Sequence, residues 1–139
     1  DTRYSSSNKI TTHDNVSFDC LPCGKDSLTS VLEMDVFLNA NVICINEGQF
    51  FNNLVEFCTT ACNRQKDIFV CGLDGDYLKR PFGEILNLIP HCDTVIRLSA
   101  ECSCGKLANF TKKIKNTPDL IHIGSHEMYS PVCRKCYDN

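Results

Sequence analysis

The sequence predicts an α/β fold: a parallel sheet with helices on both faces, followed by a small β lobe built around a metal site. Three observations lead there. Short apolar runs at 42–46, 67–73 and 94–100 each have the length of a buried strand, and helical patterns separate them. From about Glu101 the pattern changes to short polar strands between two cysteine pairs, Cys102/Cys104 and Cys133/Cys136. Upstream, "DTRYSSSNKITTHD" shows neither helical nor strand period and starts at Asp1, so it reads as a loop whose preceding segment, the start of a larger fold, is absent. The expected division is a partial α/β domain at 1–100 and a metal-binding lobe at 101–139.

The elements follow in order. "DSLTSVLEMDVFL" (26–38) reads as one helix, with Ser27 as N-cap and Leu28, Val31, Leu32 and Asp35 at helical spacing, only the last of them polar. The strand 42–46 comes next. "FNNLVEFCTTACNRQ" is a second helix, capped by Asn52 or Asn53, with Leu54, Val55, Cys58 and Cys62 on one side. "DIFVCGL" (67–73) is a strand ending in the turn "DGD", and "FGEILNLIP" is a short helix stopped by Pro90. "TVIRLSA" (94–100) is the third strand. In parallel sheets the chemistry lies beyond the carboxyl ends of the strands, which is where Glu47 and Asp74 fall.

Composition narrows the classes. An apolar share of 42% and a charged share of 22% are ordinary for a globular chain able to bury a core. A net charge of -3 and the lack of a basic stripe argue against nucleic acid and against an anionic membrane surface. No apolar run approaches the ~20 residues that span a bilayer, and no stretch reads as a secretory signal. Eleven cysteines cannot all pair. Cys44, Cys58, Cys62 and Cys71 occupy positions expected of core residues, where buried thiols act as small apolar groups. That is the pattern of a reducing, cytoplasmic protein rather than a secreted disulfide scaffold.

In such a chain, clustered cysteines are metal ligands first. Cys133 and Cys136 have the C-x-x-C spacing of a zinc knuckle, and Cys102 and Cys104 the tighter C-x-C. Two such pairs on hairpins can supply four thiolates at tetrahedral geometry, the closed pattern of structural Zn²⁺. A lobe of roughly 40 residues has too little core to stand alone, so metal binding would supply much of its folding free energy. The bland alternative is four unligated thiols or an oxidised pair. A third pair, Cys20 and Cys23 in "CLPC", has redox-dithiol spacing but lies in a loop without the strand and helix that motif needs. "CGKDS" is not a phosphate-binding loop, because position 19 is Asp19 where that loop requires glycine.

Glu47 is harder to read. A strand-end carboxylate is commonly solvated or capping, yet in nucleotide-binding α/β proteins an acid there serves Mg²⁺ or the nucleophile. "NEGQFF" and "GLDGDYLKRPFG" place this acid and the aromatics Phe50, Tyr77 and Phe82 at adjacent strand ends, the materials of a pocket for a planar base. Each aromatic alone fits core packing.

The strings "DTRYSSS", "THD", "NEGQFFNNLVEFC", "LDGDYLKRPFGEILNLIP" and "YSPVCRKCY" resemble the type II thymidine kinases of animals, many bacteria and poxviruses, in order and over essentially the whole chain. The resemblance implies a P-loop NTPase-like sheet, a zinc-bearing lobe whose lasso loop closes over thymidine, and transfer of the ATP γ-phosphate to the thymidine 5′-hydroxyl with Mg²⁺. It also implies a homo-oligomer, dimer or tetramer. Carried over by motif, Glu47 is similar to the family's general base. Asp1, Thr2 and Arg3 match a segment approaching ATP, Arg3 facing the transferring phosphoryl charge. Asn46, Gly48 and Gln49 fall beside the nucleotide. Phe50, Leu73, Tyr77 and Phe82 match the thymidine pocket. Thr111, the run Leu120, Ile121, His122, Ile123 and Gly124, and Tyr129 match the lasso. Cys102, Cys104, Cys133 and Cys136 match the zinc ligands.

Departures from the family pattern carry consequences. The P-loop and its lysine, expected just upstream, are absent from the chain, which implies that this piece by itself is not an active kinase. Asn46 stands where the family has Asp and brings no negative charge, so metal affinity should fall. The first zinc pair is one residue shorter than the family's C-x-x-C, and Tyr77 replaces Phe. The competing readings are a non-catalytic, degenerate relative that keeps the fold and nucleoside or subunit binding, and a zinc-ribbon module confined to 101–139.

Overall fold

The computed structural model describes residues 8–12, 14–114 and 128–139. Lys9–Thr11 (β1) and Ser17–Asp19 (β2) form an antiparallel hairpin in place of the expected irregular opening. The expected helix at 26–38 is two short ones, Leu28–Val31 (α1) and Asp35–Asn39 (α2). The break has a cause. Arg64 donates to the Leu32 carbonyl at 2.8 Å, and Met34 takes an extended conformation as the N-cap of α2. Asp35, the polar misfit of a continuous helix, thereby lands in the first turn of α2, where a negative charge suits the helix dipole. Ser27 does precede α1, but its hydroxyl donates back to the Gly24 carbonyl instead of capping the helix.

Val42–Ile45 (β3) and Asp67–Val70 (β4) are the parallel pair, joined by the helix Leu54–Asn63 (α3) in a right-length β-α-β crossover. Leu54, Phe57, Cys58 and Ala61 are the buried stripe of α3. Val55 is only half-buried and Cys62 exposed, so the stripe lies one residue away from the expected one. Ile43, Ile45, Ile68 and Val70 turn toward this stripe, and Leu28, Val31, Leu32 and Phe37 complete the cluster. Phe37 packs edge-on to Phe57 under the side chains of Arg64 and Lys66.

The continuous parallel sheet with helices on both faces is corrected. Among the described residues every sheet has two strands, and the only parallel one is β3–β4. Strand alternation sends Val42, Cys44 and Phe69 to the face away from α3, and Phe69 is 64% exposed. Cys44 and Cys71 are exposed for the same reason, leaving Cys58 as the buried thiol of the four expected in core positions. The run 94–98 does not pair: Ile96 and Leu98 are 76% and 85% exposed. Only Ala100–Glu101 (β5) from that region is strand, antiparallel to Leu107–Ala108 (β6). Ile85–His91 is a 3₁₀ segment that includes Pro90, where the sequence placed a stop.

Phe110–Lys113 (β7) pairs antiparallel with Tyr129–Val132 (β8), and Arg134–Asp138 (α4) closes the chain. Cys102, Ala108, Val132 and Cys133 form a second buried cluster, flanked by Phe110, Cys136 and Tyr137. Among the described residues no helix is long and apolar enough to cross a membrane.

Candidate functional site

At the end of β3 the chain leaves the strand through Glu47, held in the left-handed region at φ 55°, and enters a 3₁₀ turn, Gly48–Phe50. A non-glycine residue there stores backbone strain of about 1 kcal/mol or more, which the surroundings must enforce. Those surroundings are visible. The Gly48 N–H donates to the Cys71 carbonyl at 2.9 Å, tying the turn to the end of β4. Gln49 is buried, and its amide bridges two partners: Nε2 donates to the Glu47 carboxylate at 2.6 Å, and Oε1 accepts from the Leu73 N–H at 3.1 Å. Gln49 thus braces Glu47 from behind. Its place in the fold is inside the wall, orienting the exposed acid in front.

Gly83 makes this packing possible. Its φ is +58°, and a Cβ there would collide with the Gln49 carbonyl oxygen. Glu84 follows and accepts from the N–H groups of Asn53 and Val55 at 3.2 and 3.0 Å, one through each carboxylate oxygen. Asn53 is the N-cap residue of α3 but makes no side-chain cap bond, so the cap comes from a carboxylate far along the chain. Sequence reading missed Glu84, because a capping signal is sought next to the helix it caps.

Asn46 is exposed, and the Cys71 thiol donates to its Oδ1 at 3.2 Å. Of the expected base pocket, Phe50 and Phe82 meet as a T-shaped pair, ring centroids 5.4 Å apart, with Leu73 exposed nearby in sequence. Tyr77 sits on the turn 75–81, whose ends bridge at Gly75 and Pro81. Asp76 builds that turn. One carboxylate oxygen accepts from the Leu78 and Arg80 N–H groups at 2.8 and 2.9 Å, and the other accepts from the Arg80 guanidinium. Burial of Asp76 opposes ionisation, but the Arg80 and Leu78 hydrogen bonds outweigh it and hold its carboxyl below the usual value. Asp74, expected at the strand end with Glu47, pairs instead with Arg97 at 3.0 Å. Tyr77 contacts Tyr129 at 6.1 Å between centroids, and Lys113 lies over its ring. Thr111 is half-buried on β7, opposite Pro131. Asp1, Thr2 and Arg3, and Leu120, Ile121, His122, Ile123 and Gly124, lie outside the described residues.

The second site is the cysteine cluster. The sulfurs of Cys102, Cys104, Cys133 and Cys136 all lie within 4.8 Å of one another. Cys104 is 3.4 Å from Cys102 and 3.6 Å from Cys133, against about 3.8 Å between the sulfurs of a tetrahedral Zn–thiolate centre with ~2.3 Å bonds. The short C-x-C pair works because Gly105 takes φ +78° and returns the chain: its N–H donates to the Cys102 carbonyl, and the Cys102 N–H donates to Lys106. Backbone N–H groups of Cys104 and Cys133 point at the Cys102 sulfur and bring its pKa down to about 6. The Cys136 N–H lowers Cys133 similarly. The neighbouring sulfurs of Cys104, Cys133 and Cys102 push Cys136 up to about 12, a repulsion that a divalent cation relieves. Donor type, spacing and N–H···S support all fit a metal ion.

Residues 1–137 match the family model for "Thymidine kinase". The thymidine kinase of Yaba monkey tumor virus (strain VR587) is 44% identical over 129 residues, which cover 92% of this chain and 69% of that protein. Those of Vaccinia virus (strain Ankara) and Monkeypox virus are 41% and 42% identical over 140 residues, covering 97% of this chain and 77% of each. A match of this length, spanning both the Glu47 turn and the four-cysteine cluster, places the chain in the thymidine kinase family.

Proposed function

We propose that the chain is part of an enzyme that phosphorylates thymidine at its 5′-hydroxyl, with Glu47 as the general base and Zn²⁺ as a structural ion held by Cys102, Cys104, Cys133 and Cys136. The observation that carries the reading is the strained, buttressed placement of Glu47 at the end of β3. An exposed acid whose backbone is forced into the left-handed region and whose carboxylate is gripped by a buried amide is oriented for work rather than for solvation. ATP would supply the phosphoryl group, and Asn46 and Glu47 at the end of the strand would hold the Mg²⁺ that offsets its charge. The Asn46 amide oxygen, although it accepts from Cys71, keeps a lone pair for a metal-bound water. Glu47 accepts the hydroxyl proton as the sugar oxygen bonds to phosphorus and the bond to the ADP oxygen breaks. Phe50, Phe82, Leu73 and Tyr77 wall in the base, and Thr111 and Tyr129 stand at the two strands that flank the lasso segment. Residues 1–100 are read as a partial α/β part lacking the P-loop, supported by the parallel β3–β4 pair joined by α3, and 101–139 as the metal-binding lobe, supported by the four converging cysteines. The many cysteines support a reducing, cytoplasmic setting, and the family likeness supports a homo-oligomer.

The second reading, a relative that keeps binding without turnover, is favoured by Asn46 alone. One assay separates the two: conversion of thymidine to its monophosphate with ATP and Mg²⁺. Turnover is expected when the chain is joined to an upstream phosphate-binding loop, and in that protein Glu47→Gln should lower kcat about 10²-fold with the thermal melt unchanged. Near-normal kcat in that variant would remove Glu47 from the role. Binding of thymidine without any turnover in the loop-bearing wild type would select the second reading.

A further inference from the structure

The two sites are joined by a set of contacts that neither site needs for itself. Cys133 is the N-cap of α4 and Cys136 lies within it, so two metal ligands fall in and beside a helix of five residues. A helix this short does not hold itself in water; its geometry has to be imposed. The next two residues reach across to the turn that carries Tyr77. The Tyr137 hydroxyl donates to the Tyr77 carbonyl at 2.6 Å. Lys79 Nζ lies 3.8 Å from the centre of the Tyr137 ring and 3.2 Å from the Asp138 carboxylate. The Tyr77 turn itself is built by Asp76 and Arg80. Its internal shape is therefore independent of α4; its position is not.

We infer that metal occupancy at the four-cysteine cluster sets thymidine affinity, with Tyr137 and Lys79 as the positioning residues that transmit it to Tyr77. The ion fixes Cys133 and Cys136, these fix the register of α4, and α4 presents Tyr137 and Asp138 to the turn. Without the ion the helix loses its anchor, the Tyr77 carbonyl loses its donor, and the pocket wall is free to drift. The inference rests on the reading of Tyr77 as a wall of the thymidine pocket.

The test is a thermodynamic cycle. Thymidine is titrated calorimetrically into the full chain, zinc-loaded and chelator-stripped, for wild type and for Tyr137→Phe, which keeps the ring and removes only the donor. Stripping should weaken wild-type binding about tenfold or more. Zinc-loaded Tyr137→Phe should bind about fivefold more weakly than wild type, the loss expected for one hydrogen bond, with zinc content unchanged. Stripping should then cost this variant distinctly less than it costs wild type, because part of the connection is already cut. A purely structural role for Tyr137 would not produce that shortfall. Asp138→Asn, at an exposed position, should weaken binding about twofold and guards against a folding defect in the first variant. Wild-type affinity in both zinc-loaded variants, or losses that simply multiply, would overturn the inference. Normal binding indifferent to zinc overturns the inference alone; no thymidine binding by the zinc-loaded wild type overturns the function reading and the inference with it.

Discussion

The cysteine cluster and the Glu47 turn are both built where strands end, yet they are assembled in opposite ways. The cluster is made of two local pieces, each pointing a backbone N–H at its own sulfur, Cys104 at Cys102 and Cys136 at Cys133, with the Cys133 N–H reaching across to the Cys102 sulfur. Beyond a small shared core, what would hold those pieces together is a metal ion on the four sulfurs. The Glu47 turn is the reverse. Its parts come from three separate stretches: the end of β3 with the Glu47–Gln49 turn, the backbone after β4, and the Gly83–Glu84 step. They are held by packing and hydrogen bonds between residues distant in sequence. One site is local with an external clamp; the other is distributed and self-clamped. The difference teaches where each is vulnerable.

The largest expected effect is at the clamp. Cys102→Ser should abolish stoichiometric zinc and unfold the region around β5–β8, read as loss of hydrogen-exchange protection there while α3 stays protected. Retention of a full equivalent of zinc in that variant would break the comparison.

Next come the two glycines with positive φ. Gly83→Ala should destabilise by roughly 2–4 kcal/mol, because it combines an unfavourable backbone region with a collision against the Gln49 carbonyl. Gly105→Ala has the same backbone penalty but open space around the new methyl group, and should cost only about 1 kcal/mol. Denaturant melts of the two variants measure the contrast, and equal losses would contradict the distributed packing of the Glu47 turn.

Glu84→Ala removes the remote cap of α3 and should cost about 1 kcal/mol, with faster amide exchange at Asn53 and Val55. The smallest effect is electrostatic. The Asp76 carboxyl is held below its ordinary value in the folded state, so its contribution is fully present above about pH 4 and is lost as the pH falls through the lower folded value. Thermal melts between neutral and acidic pH should show a decline of at most about 1 kcal/mol that Asp76→Asn lacks. An unchanged acid profile in that variant would show that the Tyr77 turn does not depend on the carboxylate.

Particular residues show what could be read in advance. The C-x-x-C knuckle and its C-x-C partner were legible because metal ligation imposes spacing on short local runs. The strand 42–46, the helix around Leu54 and the acid after the strand were legible from periodicity and position. The third strand at 94–100 was not. Val95, Ile96 and Leu98 have strand composition, but a strand exists only where a partner accepts its hydrogen bonds, and composition does not name the partner. The break in the helix at 26–38 was equally hidden, since it is made by Arg64 from α3's far end.

By itself the sequence determined the family, the four cysteines that converge and the identity of the strand-end acid, because each is written in short contiguous strings with fixed chemistry. Only the tertiary structure decided that Gln49 is a buried brace, that Glu84 caps a helix it does not adjoin, and that Tyr137 reaches Tyr77. The physical reason is that these roles are defined by hydrogen-bond geometry between segments far apart in the chain, and a linear string holds no record of which distant donor meets which acceptor.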